Sequence, residues 1–435
     1  MDLKSIENIV SLCKRRGFIF QSSEIYGGIG STWDYGPLGT EMKKRIKDDW
    51  WQSIVTKRSN VVGMDSSILM HPKVWEASGH VSNFHDPMVD CKKCKSRYRS
   101  DHINLEKPCK KCGNTDWTEP RQFNLMFQTT IGPINEEGNI TYLRPETAQG
   151  IFVNFNNVQT TARQKIPFGI AQIGKAFRNE ITTGNFLFRT REFEQMEMEY
   201  FIHPDESSRW LDFWNQERLD WFLRLGIKKN KLRLRAHGKD ELAHYSSACY
   251  DVEYEFPFGW SELEGIADRG TYDLDQHNEF TKKKLSYFDP KTNRRFTPAV
   301  VETSAGVDRT FLTCLVDAYT EEEVRGENRT LLKLSPKIAP TTCAVFPLVN
   351  KNGLPELAEK IVEETRKQFS SFFDQGGSIG RRYRRQDEAG TPFGVTVDHE
   401  TIENGTVTLR ERDSMKQIRI SQDKICEAIN EKIIS

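Results

Sequence analysis

The chain has no excess of either charge: its 435 residues carry 62 Lys plus Arg and 62 Asp plus Glu. No global basic field advertises a polyanionic partner, so any nucleic-acid contact must come from local patches. Also missing is any run of about eighteen apolar residues of the kind that spans a bilayer. The N-terminus MDLKSIENIV has no signal-peptide core. A soluble, cytoplasmic protein without a membrane partner is therefore the expectation. There is no fixed-period repeat and no low-complexity segment. Cysteine is sparse, and Cys13, Cys249, Cys314, Cys343 and Cys426 are scattered, which argues against a disulfide framework. The length predicts about two to four domains.

The remaining cysteines form the sharpest pattern present: Cys91-x2-Cys94, fourteen intervening residues, then Cys109-x2-Cys112. Four thiolates on two knuckles satisfy tetrahedral zinc, and Gly113 suits the tight turn after the second knuckle. Flanking lysines and arginines favour the thiolate forms. A redox pair or unligated thiols remain the alternatives. A closed set of four ligands implies a structural Zn2+, not a catalytic one.

Residues 169–201 read as two strands, about 169–177 and 191–201, joined by a polar loop with the turn-forming triplet Thr183-Gly184-Asn185. Alternation puts Arg189, Arg191, Phe193, Gln195 and Glu197 on one face of the second strand and Glu192, Glu194, Met196 and Met198 on the other. Arg178 and Glu180 share a face at the exit of the first strand. Guanidinium forks suit phosphates, an aromatic ring suits a purine, and a carboxylate suits an amino group, so one face resembles a nucleotide platform. An edge hairpin laced with cross-strand ion pairs fits the same pattern.

Other segments take their places around this hairpin. Leu3, Ile6, Val10 and Cys13 predict a first helix closed by Gly17; residues 38–55 predict an amphipathic helix, followed by a strand over 61–70 that Pro72 stops. A short strand turns into a helix near Thr147 with Glu146 at the junction, where a carboxylate either faces a cavity or caps the helix. Trp210, Phe213, Trp214, Trp221 and Leu225 recur at helical spacing and read as core packing. The basic runs 228–235 and 282–284 read as solvated faces before they read as RNA contacts. Glu262 and Glu264 are expected on one strand face. Residues 299–319 read as strand, glycine turn and helix: Glu302, Ser304 and Gly306 share a face, Thr303 points away, and Arg309 stands in the first helical turn, an anion site. Beyond 333–340 come a strand over 342–349, an amphipathic helix over 354–373, strands at 395–397 and 406–410, and a last helix over 421–434.

Phe177-Arg178-Asn179-Glu180, a loop, then Arg189-x3-Phe193-x3-Glu197 resembles motif 2 of the class II aminoacyl-tRNA synthetases. The longer runs AQIGKAFRNEI and FLFRTREFEQME, with RPETAQG at 144–150 and ASGHVSNFHDPM at 77–88, resemble the homodimeric glycyl-tRNA synthetases, and the resemblance spans nearly the whole chain. It implies an α+β fold. A class II catalytic domain on an antiparallel sheet is expected over 1–334, with motif 1 at about 38–72, a zinc-ribbon insertion at about 88–120, motif 2 at about 169–201, a helical insertion at about 205–240 and motif 3 at about 299–319. A C-terminal α/β anticodon-binding domain is expected over 335–435.

The same resemblance implies a glycine–tRNA ligase working as a homodimer on glycine, ATP and tRNA(Gly), with Mg2+ between the triphosphate and nearby carboxylates. Arg178, Arg309 and Glu262 are the implied catalytic groups. ATP would meet Arg178, Asn179, Glu180, Phe188, Arg189, Thr190, Arg191, Glu192, Phe193, Glu262, Leu263, Gly306, Val307, Asp308 and Arg309. The amino acid would meet Arg97, preferred over Arg99, together with Glu146, Phe193, Glu194, Gln195, Met196, Glu197, Glu302, Thr303, Ser304, Ala305 and Gly306. Arg381, Arg382, Tyr383, Arg384 and Arg385 are the tRNA contacts it implies. One departure stands out: Thr303 occupies a position where this family usually has proline. The alternatives are a ligase for another small amino acid, or a synthetase-like nucleic-acid-binding or polymerase-accessory protein without catalysis; loss of a motif arginine would mark the latter, and Arg178 and Arg309 are both present.

Overall fold

The computed structural model describes residues 4–132, 139–181, 184–243 and 246–434. Leu3 of the first helix, Thr183 of the turn triplet, and His244 and Tyr245 lie outside the described residues. Helix α1 (Lys4–Arg16) ends at Gly17, whose φ of 76° suits a residue without a Cβ. Helix α2 (Pro37–Trp51) runs on through a π turn to Thr56 and leads into the short strand β1 (Val61–Gly63). The predicted strand over 61–70 is thus cut short, because Ser66 turns its backbone N–H to the Gln172 side chain at 3.1 Å instead of to a neighbouring strand.

The central sheet adds β2 (Phe168–Phe177), β3 (Glu192–Ile202), then, after helix α3 (Ser207–Arg224), β4 (Leu232–Ala236), β5 (Ala248–Phe256), β6 (Gly259–Gly270) and β7 (Ala299–Gly306). Its seven strands lie in the order β4-β5-β6-β7-β3-β2-β1, antiparallel throughout except for the parallel β1–β2 pair. Helices α2, α3 and α4 (Val307–Ala318) cover one face. Met42, Ile46 and Trp50, Trp214 and Trp221, and Phe311 and Leu315 meet Met196, Met198, Ile266 and Val301 from the strands. Of the Trp210–Leu225 stripe, Trp214, Trp221 and Leu225 are core as their spacing implied, Trp210 packs at the core's edge and Phe213 is exposed. Alternation then sends the intervening residues of β3 and β7 to the opposite face; helices within 148–161 and over 272–281 bury its Phe168, Ile170, Phe201 and Val300 end and leave the rest open.

Within that helix-covered core sits an ion pair, Arg218 Nε donating to Glu264 Oε1 at 2.6 Å, with both side chains essentially inaccessible. Glu264 therefore does not share a face with Glu262, contrary to the parity of the sequence. A bulge in the β5–β6 ladder pairs Val252 with Glu264 but Glu253 with Glu262, so Leu263 is the extra residue and the alternation reverses across it.

Between α2 and β2 the chain forms a three-stranded sheet, His85–Asp90, Arg97–Arg99 and Arg121–Asn124, which carries the two cysteine knuckles. A second apolar cluster lies entirely beyond residue 342. It is built by β8 (Cys343–Pro347), α5 (Leu354–Arg366), β9 (Ser371–Phe373), α6 (Ile379–Ala389), β10 (Phe393–Val397), β11 (Thr406–Glu411), β12 (Gln417–Ser421) and α7 (Ile425–Ile434). Sheet order is β9-β8-β10-β11-β12, with β8 parallel to both its neighbours and the remaining pairs antiparallel. Two predicted helices are shorter than their apolar spacing suggested. Thr342 N–H bonds to Ser370 O at 2.8 Å and draws 371–373 into the sheet, and Gln417–Ser421 pairs with β11 before α7 can start.

Candidate active site

The open face of the central sheet holds a cavity of about 310 Å³. Its floor comes from alternate residues of adjacent strands: Phe193, Gln195 and Glu197 on β3, Glu302, Ser304 and Gly306 on β7, and Gly265, Ala267 and Arg269 on β6. The β3–β7 register sets Glu197 opposite Ser304 and Gln195 opposite Gly306. The two-residue repeat of a strand is the reason these groups converge.

At one end the groups suit a nucleoside triphosphate. The Arg178 guanidinium lies 5.3 Å from the Phe193 ring centroid and donates through Nε to Pro145 O at 3.0 Å. Arg309 stands 4.5 Å over the Phe188 ring and donates to Phe188 O, while its Nη1 pairs with Glu262 Oε2 at 3.1 Å. That arginine pulls the Glu262 carboxyl below its ordinary range against the opposing effect of burial. Glu180, Arg189, Thr190 and Asp308 complete this end of the cavity.

At the other end carboxylates crowd together. Glu146 Oε2 lies 3.2 Å from His80 Nε2, and Oε1 accepts from Gln149 at 3.1 Å. Burial would raise the Glu146 carboxyl, but His80, Arg269 and Gln149 together hold it well below the usual range. Arg269 donates through Nη1 to Glu302 Oε2 at 2.6 Å and through Nε to Asp273 Oδ2 at 2.7 Å. Glu302 is nevertheless raised: burial is the largest cause and, with the smaller effects of Glu146 and Asp273, exceeds the lowering by Arg269. Glu197 accepts from the Thr147 hydroxyl, and burial followed by Glu302 and Glu146 pushes its carboxyl up to about 8. Glu199, one step deeper, has neither carboxylate oxygen hydrogen-bonded and is raised well above the ordinary value, chiefly by burial. The arrangement offers a compact cation more carboxyl groups than Arg269 and His80 can pair.

Several predicted site residues are elsewhere. Arg191 leaves the platform face because the chain before Glu192 is irregular; its guanidinium holds Glu180 O at 3.1 Å and Gly30 O at 2.9 Å. Glu192 pairs with Lys175 at the surface, and Asn179 uses its N–H on Leu125 O at 2.7 Å. Glu194 faces α2, where Lys43 at 2.7 Å and Lys47 at 3.0 Å lower its carboxyl against burial. Met196, Leu263, Ala305 and Val307 are buried in the helix-side core, and Thr303 faces that side too, its hydroxyl without a partner. Arg97 is held to Asp90 at 2.7 Å on the ribbon and does not line the cavity; Arg99 binds Asp86 at 2.8 Å. Asp308 turns its carboxylate to Lys43 at 3.0 Å, Tyr35 and the Glu194 N–H, so its placement at the cavity wall is fixed from α2.

Spacing did not single out Arg269 or His80. Arg269 was legible in principle, two residues beyond Ala267 on the same face, whereas His80 reaches Glu146 only through the tertiary fold.

The cysteine knuckles converge: Cys91 Sγ is 3.5 Å from Cys112 Sγ and Cys94 Sγ is 3.7 Å from Cys109 Sγ, with all four sulfurs within 4.8 Å of one another. Hydrogen bonds from Ser96 bring the Cys94 thiol down to about 6. A soft, four-sulfur donor set of this size fits Zn2+.

Of the predicted RNA contacts on α6 only Arg381 is exposed. Arg382 is buried and donates to Pro347 O and to Gly377 O at 2.7 Å; Arg385 is tied to Asp374 at 2.6 Å. Arg384 is half-buried, its guanidinium within 4.0 Å of Glu327 and Asp387. Tyr383 bonds Thr396 at 2.6 Å and packs against Phe346 under Arg410, so its ring is a packing group and not a platform for a base.

Two family models match the chain: a tRNA synthetase class II core domain (G, H, P, S and T) over residues 127–319 and an anticodon binding domain over 342–432. The chain is 54% identical to a glycine–tRNA ligase of Treponema denticola, over 99% of this chain and 97% of that protein. It is also 54% identical to the glycine–tRNA ligase of Borreliella burgdorferi, covering 99% and 98%, and 51% identical to that of Geobacillus kaustophilus, covering 99% of each.

Proposed function

The chain belongs to the glycine–tRNA ligase family, and on that premise we propose that it joins glycine to ATP as glycyl-adenylate and passes the glycyl group to the 3′ end of tRNA(Gly). The observation that carries this reading is the juxtaposition, in one cavity, of the Arg178–Phe193–Arg309 end with the Glu146–Glu197–Glu302 end. The glycine carboxylate attacks the α-phosphorus of ATP, the bond to the bridging oxygen breaks, and pyrophosphate leaves with the electron pair. Arg178 steadies the charge on the α-phosphate and Arg309 the charge on the departing pyrophosphate; Phe193 stacks the adenine and Glu180 accepts from its amino group. Glu146, Glu302 and Ser304 hold the ammonium group. With a neutral Glu197 behind them, larger amino acids are excluded by volume, where one extra methylene in an accommodating pocket would be rejected by only about 1–3 kcal/mol.

Glu262 is the carboxylate that would hold Mg2+, and the ion would supply neutralisation of the triphosphate charge. The Cys91, Cys94, Cys109 and Cys112 set would hold a structural Zn2+. Arg381 is the residue of α6 free to meet tRNA phosphate. A cytoplasmic homodimer is part of the same proposal; the exposed apolar group Ile25, Tyr26 and Ile29 supports burial against another chain. A division into a catalytic and an anticodon-binding domain is supported by the apolar core that lies beyond residue 342, apart from that of the central sheet; the latter takes in Ile338 and Ala339, so the boundary falls a few residues after the expected 334/335.

The deciding experiment is ATP–pyrophosphate exchange with glycine, alanine, serine and proline in turn. Exchange with glycine alone is expected. Exchange with none of them, from protein that still binds tRNA(Gly), would overturn catalysis in favour of a nucleic-acid-binding role.

A further inference from the structure

The cavity wall holds a pair of residues to which glycine activation, as set out above, assigns no role. His237 Nε2 lies 2.7 Å from Asp251 Oδ2, and the His237 N–H is fixed on Cys249 O at 2.9 Å, so both ring and backbone are anchored to β5. Asp251 is itself buried, with Arg235 Nη2 at 3.7 Å as a cationic neighbour. With Nε2–H donated to the carboxylate, a neutral imidazole keeps its lone pair on Nδ1, and no described residue occupies that atom.

The sheet register gives the distance to the glycine end. Asp251 pairs with Gly265, Gly265 with Ser304, and Ser304 with Glu197. Two strand spacings, about 10 Å, separate Asp251 from Ser304. Between them the floor carries only Gly265, with no side chain, and Ala267, with a methyl. An open strip therefore joins the carboxylate cluster to the His237–Asp251 pair.

Taking the ligase reading as its premise, we propose that this strip and the His237–Asp251 pair form the subsite for the terminal ribose of the tRNA, with His237 Nδ1 accepting the proton of the attacking hydroxyl. In the transfer step the ribose hydroxyl oxygen bonds to the glycyl carbonyl carbon. The bond from that carbon to the phosphate oxygen breaks, AMP leaves with the electron pair, and the hydroxyl proton passes to the imidazole. Asp251 is a positioning residue: it selects the tautomer that leaves Nδ1 free and stabilises the imidazolium that forms.

Transfer and activation can be measured apart on the full chain. Glycyl-adenylate formed on the enzyme is mixed with tRNA(Gly) and single-turnover transfer is followed by rapid quench, beside ATP–pyrophosphate exchange on the same preparation. In His237→Ala, transfer is expected to fall about 100-fold or more relative to exchange, the usual scale for losing a positioned acid–base group. Asp251→Asn should show the same separation, since an amide at that position donates to Nε2 and moves the ring proton to Nδ1. Unchanged transfer in either variant overturns the proposal, and so does exchange falling as far as transfer, which would make the pair part of the activation site or of the fold. If the unsubstituted chain shows no glycine-dependent exchange, the ligase reading fails first and this proposal falls with it.

Discussion

Replacing Glu197 with Gln should stabilise the protein at alkaline pH. Burial, Glu302 and Glu146 raise this carboxyl from 4.5 to about 8, so at neutral pH the folded chain holds a proton that the unfolded chain releases. An acid raised by folding contributes stability that is complete below the unfolded value and is lost as pH climbs through the folded one. For Glu197 the loss therefore runs between about pH 4.5 and pH 8. At about 1.4 kcal/mol per decade of proton activity, the ceiling is about 5 kcal/mol; coupling to Glu199 and Glu302 shares the proton and reduces the part removable at one site to a few kcal/mol. Gln reproduces the shape and neutrality of the protonated acid but cannot ionise. The variant should lie close to the wild type at pH 5, overtake it steadily up to about pH 8 and keep that lead at about pH 9. Calorimetric midpoints of the catalytic-domain transition, taken for both proteins from pH 5 to pH 9, check this. Parallel curves would refute the reasoning, because they would mean that Glu197 ionises as readily in the folded chain as in the unfolded one.

Other consequences follow from single contacts. Arg218→Ala leaves Glu264 buried without its 2.6 Å partner, and urea unfolding should show a loss of about 3–5 kcal/mol; the double change Arg218→Met with Glu264→Leu should recover most of it. Arg309→Ala removes the guanidinium over Phe188, and glycine-dependent pyrophosphate exchange should fall about 100- to 1,000-fold, the range for losing one charge-stabilising donor. Cys91→Ser breaks the four-sulfur set; elemental analysis should find zinc in the wild type and lose it in the variant, and limited proteolysis should then cut within residues 88–120. Zinc-free wild type with an intact ribbon would contradict that expectation.

How far the site could be read in advance differs from strand to strand. On β3 and β7 strict alternation held, so Phe193, Gln195 and Glu197, and Glu302, Ser304 and Gly306, were placed on the cavity face by counting alone. The same count failed on β6, where the bulge at Leu263 reversed the parity and sent Glu264 to Arg218. It also failed before Glu192, where Arg191 left the strand geometry that the count presumed. On α6, exposure could not be inferred from arginine-rich composition, since the carbonyls of Pro347 and Gly377 claim Arg382.

By itself the sequence determined everything that depends on local periodicity or on a long, nearly unbroken motif: the strand faces of regular ladders, the paired cysteine knuckles, the aromatic stripe of α3, and the family. Tertiary structure alone decided which charges answer which. His80 meets Glu146, Arg269 divides itself between Glu302 and Asp273, and His237 meets Asp251, each from a separate element or strand. The physical reason is that a carboxyl's proton affinity depends on its solvation and on charges within a few ångströms. Those neighbours are assembled by strand order and register, which no local pattern of residues encodes.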